Sequence, residues 1–176
     1  MSGKFRNRFR ISSSRASWWD YGNGSYFVTI CTRNRAHFFG EILDNVFYPA
    51  PIGNVAENFW REIPDRFPYA RLGEHVIMPN HVHGIVIIRR RFDPDNISKS
   101  HRGGITRLHN PLLHQNLSRV IRWYTGRVSY ESHKINPEFN WQRRFNDRII
   151  RDINEYKTKT RYIQNNISNW QEDEFY

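Results

Sequence analysis

Two histidines, His81 and His83, stand one residue apart in the β-branched run His81–Arg89 (HVHGIVIIR). Side chains two apart in a strand leave the same face. The pair therefore offers two imidazoles side by side, and two such nitrogens can share one divalent ion. They can equally be two histidines satisfied by hydrogen bonds in a half-buried sheet, since a bare His-x-His is a weak pattern. No Cys-x-x-Cys or His-Glu-x-x-His accompanies them, so a structural or protease-type zinc site is not indicated.

A second group lies on the final helix, which the spacing predicts from Asp152 to about Ile167. At about 100° per residue, Ile153, Tyr156, Thr160, Ile163 and Ile167 gather on one stripe. Tyr156 belongs to that stripe and reads as core. Tyr162 falls on nearly the opposite side, with Asn166 one turn further on and Glu155 and Lys159 roughly alongside. A phenol in that position is either an ordinary surface tyrosine or a positioned reactive group. Asn166, four residues on, can add a neutral oxygen ligand to the two histidines. Lys159 reads more simply as solvated than as a phosphate contact.

The elements that must position these groups follow from periodicity. Tyr26–Thr32 (YFVTICT), bounded by Gly22 and Gly24, predicts a central strand. Residues 38–47 have room for a short hairpin partner. Ile52, Val55, Ala56, Phe59, Trp60, Ile63 and Phe67 fall at helical spacing, with Pro64 expected to end that helix early. Leu72–Met78 predicts a strand broken by Pro79-Asn80, and His81–Arg89 one apolar enough to be buried on both faces. Residues 90–109 read as a loop. Asn110 with Pro111 predicts a helix start, and Leu113, Leu117, Val120, Ile121, Tyr124 and Val128 make that helix's apolar stripe. Arg119, Arg122 and Arg127 lie largely off it. A short strand is expected at Phe145–Ile150, and Asp152 with Glu155 forms a capping-box-like pair for the last helix. The order strand, helix, strand, strand, helix, strand, helix predicts an α+β fold. Its helices pack on an antiparallel sheet, close to the ferredoxin-like split βαβ arrangement.

A length of 176 residues suits one domain. We read residues 1–24 as a basic, turn-rich arm and 25–176 as the domain. The formal net charge of +10 points to a polyanionic partner. No apolar run reaches membrane-span length and no secretory signal follows the basic start, so nucleic acid is favoured over a membrane. Lys4, Arg6, Arg8, Arg10 and Arg15 in the arm, and Arg119 and Arg122 on the third-from-last element, are the expected DNA contacts. Cys31 is the single cysteine, which excludes an internal disulfide and fits a cytoplasmic, nucleoid-associated protein.

Taken together these residues resemble the single-tyrosine HUH transposases, and among them the REP-associated tyrosine transposases. The resemblance runs through Asp20-Tyr21, Tyr26–Arg33 (YFVTICTR) and Phe38-Phe39-Gly40-Glu41-Ile42. It is sharpest at Val76–Ile87 (VIMPNHVHGIVI), where His81-Val82-His83 matches the family's histidine–hydrophobic–histidine metal motif. It continues through Trp141-Gln142 and Asp147–Arg151 (DRIIR) to Tyr162-Ile163, Asn166 and Trp170. One departure is visible: Ile167 stands where family members usually carry proline.

The resemblance implies a ferredoxin-like fold of HUH endonuclease type, with the two histidines on a central strand. Tyr162 would be the nucleophile, and His81, His83 and Asn166 the ligands of Mg²⁺ or Mn²⁺. The implied activity is cleavage and rejoining of single-stranded DNA next to hairpins of palindromic repeats, through a covalent 5′-phosphotyrosine. The state would be monomeric or homodimeric, since relatives include dimers that trade tyrosine helices. Three rivals are a domesticated, non-catalytic nucleic-acid binder, a replication-initiator or relaxase-type nickase, and a metal-dependent hydrolase of small phosphate esters. The first would not need both histidines and Tyr162. The second is usually larger, and the third would use activated water rather than a tyrosine.

Overall fold

The computed structural model describes residues 4–5, 8–9, 22–89 and 115–172. The side chains of the basic arm, among them Lys4, Arg6, Arg8, Arg10 and Arg15, lie outside the described residues, as do Asn110, Pro111, Leu113 and the loop before them. The backbones of β1 (Lys4–Phe5) and β2 (Arg8–Phe9) pair as a short antiparallel ladder.

Strand β3 (Asn23–Cys31) is followed by a hairpin of β4 (Gly40–Leu43) and β5 (Val46–Pro49). The hairpin turns at Asp44 and Asn45, both at positive φ, the conformation a tight two-residue hairpin demands. It forms its own two-stranded sheet and is not a partner of the central strand. Helix α1 (Pro51–Arg61) and the short α2 (Ile63–Arg66) replace the single helix expected. The break falls at Glu62, and Pro64 sits in the first turn of α2, where its missing N–H leaves no hydrogen bond unmade. Strands β6 (Ala70–Met78) and β7 (His81–Arg89) come next. Helix α3 (Leu117–Ile135), strand β8 (Asn146–Ile150) and helix α4 (Ile153–Asn165) complete the set.

The main sheet has the order β6-β7-β3-β8, with antiparallel pairs throughout. Counting only β3, β6, β7 and β8, that order is 2-3-1-4, the βαββαβ ferredoxin-like pattern predicted from the element order. The side chains of β3 divide by parity. Tyr26, Val28 and Ile30 join the large core beneath α1 and α3. Phe27, with Ile85 and Ile150, meets Ile163 and Tyr156 of α4 on the other side. The sheet is thus a wall between two helical layers. On the α1 side, Trp60 lies flat on the sheet because Gly84 has no side chain; a Cβ there would stand 2.2 Å from the indole.

The starts of α3 and α4 are set by side-chain caps. The N-cap of α3 is Asn116, whose side chain accepts a hydrogen bond from Arg119 N at 3.0 Å; the start expected at Asn110 lies outside the described residues. Asp152 caps α4 as expected, accepting from the amides of Asn154 and Glu155 at 2.8 Å each. The Glu155 carboxylate, however, accepts from Arg151 N at 2.9 Å, one residue before the cap. Ile153 is 63% exposed, so the buried stripe of α4 begins only at Tyr156.

Candidate active site

The register of β3 on β7 builds the site. Cys31 pairs with His81 and Thr29 with His83, so Phe27, Thr29 and both histidines share the face toward α4. The two imidazoles stand 4.3 Å apart between ring centres and are tilted by 68°. Both are buried.

Each ring is oriented through Nδ1. His81 Nδ1 lies 2.8 Å from the Asn80 side-chain oxygen, which can only accept, so that nitrogen carries the hydrogen. Asn80 is itself fixed: its amide donates to the Arg35 carbonyl at 3.3 Å, and its backbone carbonyl accepts from Thr32 N at 2.8 Å. His83 Nδ1 lies 2.9 Å from Thr29 Oγ1. With Nδ1 of each ring engaged, the Nε2 positions are the ones suited to a metal. Burial, with a smaller contribution from Arg35, pushes the His81 pKa down to about 3. The ring is neutral at ordinary pH, the form that ligates.

Tyr162 reaches this pair from α4. Its Oη lies 3.3 Å from His83 Nε2. Its ring meets Phe27 edge-on at 5.8 Å, and Lys159 Nζ stands 4.7 Å from the centre of the Phe27 ring. Tyr162 is 38% exposed, so the hydroxyl touches a buried histidine while the ring remains open to solvent. A cavity of about 930 Å³ opens here, and His83, Arg148, Lys159, Arg161, Tyr162 and Asn166 are on its wall. Asp147 and Glu172 line it too, so the three cations leave one net positive charge on the wall, which suits an anionic occupant.

His81 does not line the cavity. It sits behind His83, with the Trp170 ring 6.0 Å away. Asn166 is buried and caps the C-terminus of α4. The helix ends at Asn165 without the proline, and the chain turns into a short 3₁₀ segment at Trp170–Glu172. Among the described residues, no group of three or more His, Cys, Asp or Glu is placed to hold a metal ion. The donor set on this face is therefore two imidazoles, with Asn166 on the wall of the cavity that His83 lines. Nitrogen with neutral oxygen suits a divalent first-row ion, and the chemistry of these residues fits one.

The structure thus brings Tyr162, His83 and Asn166 to one cavity, with His81 behind them. It does not bring Arg119 or Arg122 there: both are exposed on α3, on the other side of the sheet. Sequence reasoning missed Thr29, Asn80 and Arg148 as members of the site. The signal for Thr29 was present, as the only polar residue between Tyr26 and Cys31 in a run that is otherwise apolar. Asn80 was read only as a strand breaker.

No family model matches this sequence. A protein of Haemophilus influenzae (strain Rd KW20), described as uncharacterized, is 35% identical over 167 residues, covering 93% of this chain and 92% of its own. A REP-associated tyrosine transposase solved bound to a REP hairpin superposes with a TM-score of 0.59 over 90% of this chain and 74% of that one, at 18% identity. That identity speaks for the fold, and the fold includes the antiparallel sheet with helices on both faces. By fold the chain is similar to that transposase, and by sequence it belongs to one family with the Haemophilus protein.

Proposed function

We propose that this protein is a metal-dependent transposase that cleaves and rejoins single-stranded DNA beside hairpins, using Tyr162 as nucleophile. The observation that carries the reading is that Tyr162 Oη meets His83 Nε2 at the wall of a cavity that Arg148, Lys159 and Arg161 also line; an ion held by His83 would take that nitrogen's lone pair in place of the hydrogen bond and free the hydroxyl. The transposase whose fold it shares was solved on a REP hairpin, which supports a palindromic repeat as the target.

His81, His83 and Asn166 would hold Mg²⁺ or Mn²⁺. When bound, such an ion supplies Lewis-acid polarisation of the phosphate oxygens. The remaining work belongs to the chain. Arg148, Lys159 and Arg161 bind the phosphodiester at the cavity wall and offset its charge. Phe27 and His83 hold the Tyr162 ring, so its oxygen starts from a fixed position. The phenol oxygen attacks phosphorus and gives up its proton to solvent in the cavity, from which the departing 3′ oxygen takes one. The tyrosine O–P bond forms as the bond from phosphorus to the 3′ oxygen breaks. The strand carrying the 5′ phosphate stays on Tyr162, and the other leaves with a 3′ hydroxyl. Attack by a 3′ hydroxyl on the phosphotyrosine reverses these steps and rejoins a strand without ATP.

The basic arm would add hairpin affinity through Lys4, Arg6, Arg8, Arg10 and Arg15. Among the described residues no helix is long and apolar enough to cross a membrane. The test is incubation with a library of hairpin-flanked oligonucleotides and Mg²⁺ or Mn²⁺, with recovery of covalent adducts. Turnover of small phosphate esters with no adduct would favour a hydrolase instead. Hairpin binding with neither product would favour the non-catalytic binder.

A further inference from the structure

The helical layer opposite Tyr162 carries a groove of its own. It lies between the end of α2 and the outer face of α3, has a volume of about 440 Å³, and is lined by Arg66, Arg119, Arg122 and Arg127 with Phe67, Trp123 and Gly126. Arg127 is paired with Glu131 at 3.6 Å and rests 4.9 Å above the Phe59 ring. Arg66, Arg119 and Arg122 have no ion pair among the described residues. Three unneutralised guanidinium groups around one groove raise a local positive potential that folding alone does not call for.

Two further observations point to an occupant. Trp123 is half-buried and held edge-on by Phe67 at 5.5 Å and Phe59 at 6.2 Å, so its indole is a fixed platform. Gly126 sits inside the 19-residue α3, where glycine is the poorest helix former after proline. Its φ is not in the left-handed region, and a Cβ there would meet nothing within 4 Å. Neither backbone conformation nor packing requires glycine. Its effect is to leave the helix backbone bare beside the indole, where a ligand can approach closely.

We propose that this groove is a second nucleic-acid surface, which holds the backbone of a single DNA strand on Arg66, Arg119 and Arg122 with a base against Trp123. The assignment rests on the reading that the substrate is single-stranded DNA. A duplex buries the base faces that an indole needs, whereas an unpaired strand offers both phosphates and rings. Because the sheet separates this groove from Tyr162, a strand bound here is a different segment from the one being cut. The protein then holds one DNA at two places, on opposite faces of the sheet.

The test is the affinity of Tyr162→Phe protein for a labelled single-stranded oligonucleotide, read by fluorescence anisotropy across a salt series. No chemistry enters that readout. Gly126→Leu fills the groove without changing charge and replaces glycine with a good helix former. It should weaken binding by roughly tenfold, the scale of one lost stacking contact, with thermal melting unchanged or raised. Arg119→Ala with Arg122→Ala should flatten the slope of log affinity against log salt by about 1.4, or 2 × 0.7, for two phosphates. Affinity and slope unchanged in both variants, with melting intact, would overturn the proposal. So would displacement of the oligonucleotide by polyglutamate at equal charge, which would assign the groove to acidic peptide. Absence of any covalent adduct from the unsubstituted protein would overturn the catalytic reading alone; the loss of binding in the groove variants would still stand.

Discussion

Tyr162 Oη and His83 Nε2 meet at 3.3 Å although they are 79 residues apart in the chain. The contact joins the one tyrosine of α4 that turns away from the buried stripe to the more accessible of the two sheet histidines. It gives the proposed nucleophile a fixed starting point.

Tyr162→Phe removes that oxygen and little else. We expect folding and DNA binding to persist, and cleavage and covalent adduct both to vanish. Tyr156→Phe should keep both activities, because Tyr156 packs with Ile85 and Ile163 beneath α4. Peptide mapping of a trapped adduct decides between them: DNA on any tyrosine other than Tyr162 would sink the assignment.

EDTA should abolish cleavage, and Mg²⁺ or Mn²⁺ should restore it. The His81→Ala, His83→Ala double variant should lose cleavage and lose measurable Mn²⁺ binding by calorimetry, while oligonucleotide affinity at low salt survives. Full cleavage by that variant would end the metal reading.

Thr29 is a positioning residue, since it touches His83 Nδ1 and not the cavity chemistry directly. Thr29→Val keeps the β-branched shape but loses the hydroxyl. Metal affinity should fall roughly ten- to a hundredfold, the usual effect of losing an outer hydrogen bond to a ligating histidine. Thr29→Ser should rescue it. Equal Mn²⁺ affinity in all three proteins would show that the bond does not orient the ring.

On the opposite face, His75 Nε2 reaches both oxygens of Glu57 at 3.1 Å. That hydrogen bond, aided by Arg61 and opposed by burial, holds the Glu57 carboxyl below its ordinary value of 4.5. The folded state thus binds this proton less readily than the unfolded one, so the contribution is complete above that value and is lost as pH falls below it. Glu57→Gln should cost about 1 kcal/mol at neutral pH and make the acid limb of stability shallower. Urea titrations between neutral pH and pH 3 would check this; identical acid limbs would refute it.

Gly84→Ala should destabilise the fold by about 1–3 kcal/mol, because the new methyl group meets the rigid Trp60 ring at 2.2 Å from the Cβ position. Thermal melting measures it, and an unchanged midpoint would mean that the ring moves aside freely.

Much of this was legible in the residues themselves. Alternation placed His81 and His83 on one face, and the β7 boundaries in the structure are those of the sequence run His81–Arg89. Helical spacing separated Tyr162 from Tyr156, and the order of elements predicted the ferredoxin-like sheet. These features are local, set by periods of two and 3.6 residues that any segment displays on its own. Boundaries were less secure where two signals competed. Pro64 looks like a helix end although it sits in the first turn of one.

Only tertiary structure decided which residues the site contains. Thr29 faces His83 because of the strand register, which depends on the whole apolar set of β3 and β7 fitting together. Asn80 orients His81 because Thr32 and Arg35, far off in sequence, pin the turn. Ile153 is exposed although it falls on the apolar stripe, since periodicity does not say what packs against a given turn. Arg119 and Arg122 read as expected DNA contacts off the apolar stripe, with no face of the protein assigned to them. The sheet, by standing between α3 and α4, put them on the face away from Tyr162 and beside Trp123 and Gly126. Which face a helix covers is fixed by packing among distant residues, and that is information the linear pattern of one helix does not hold.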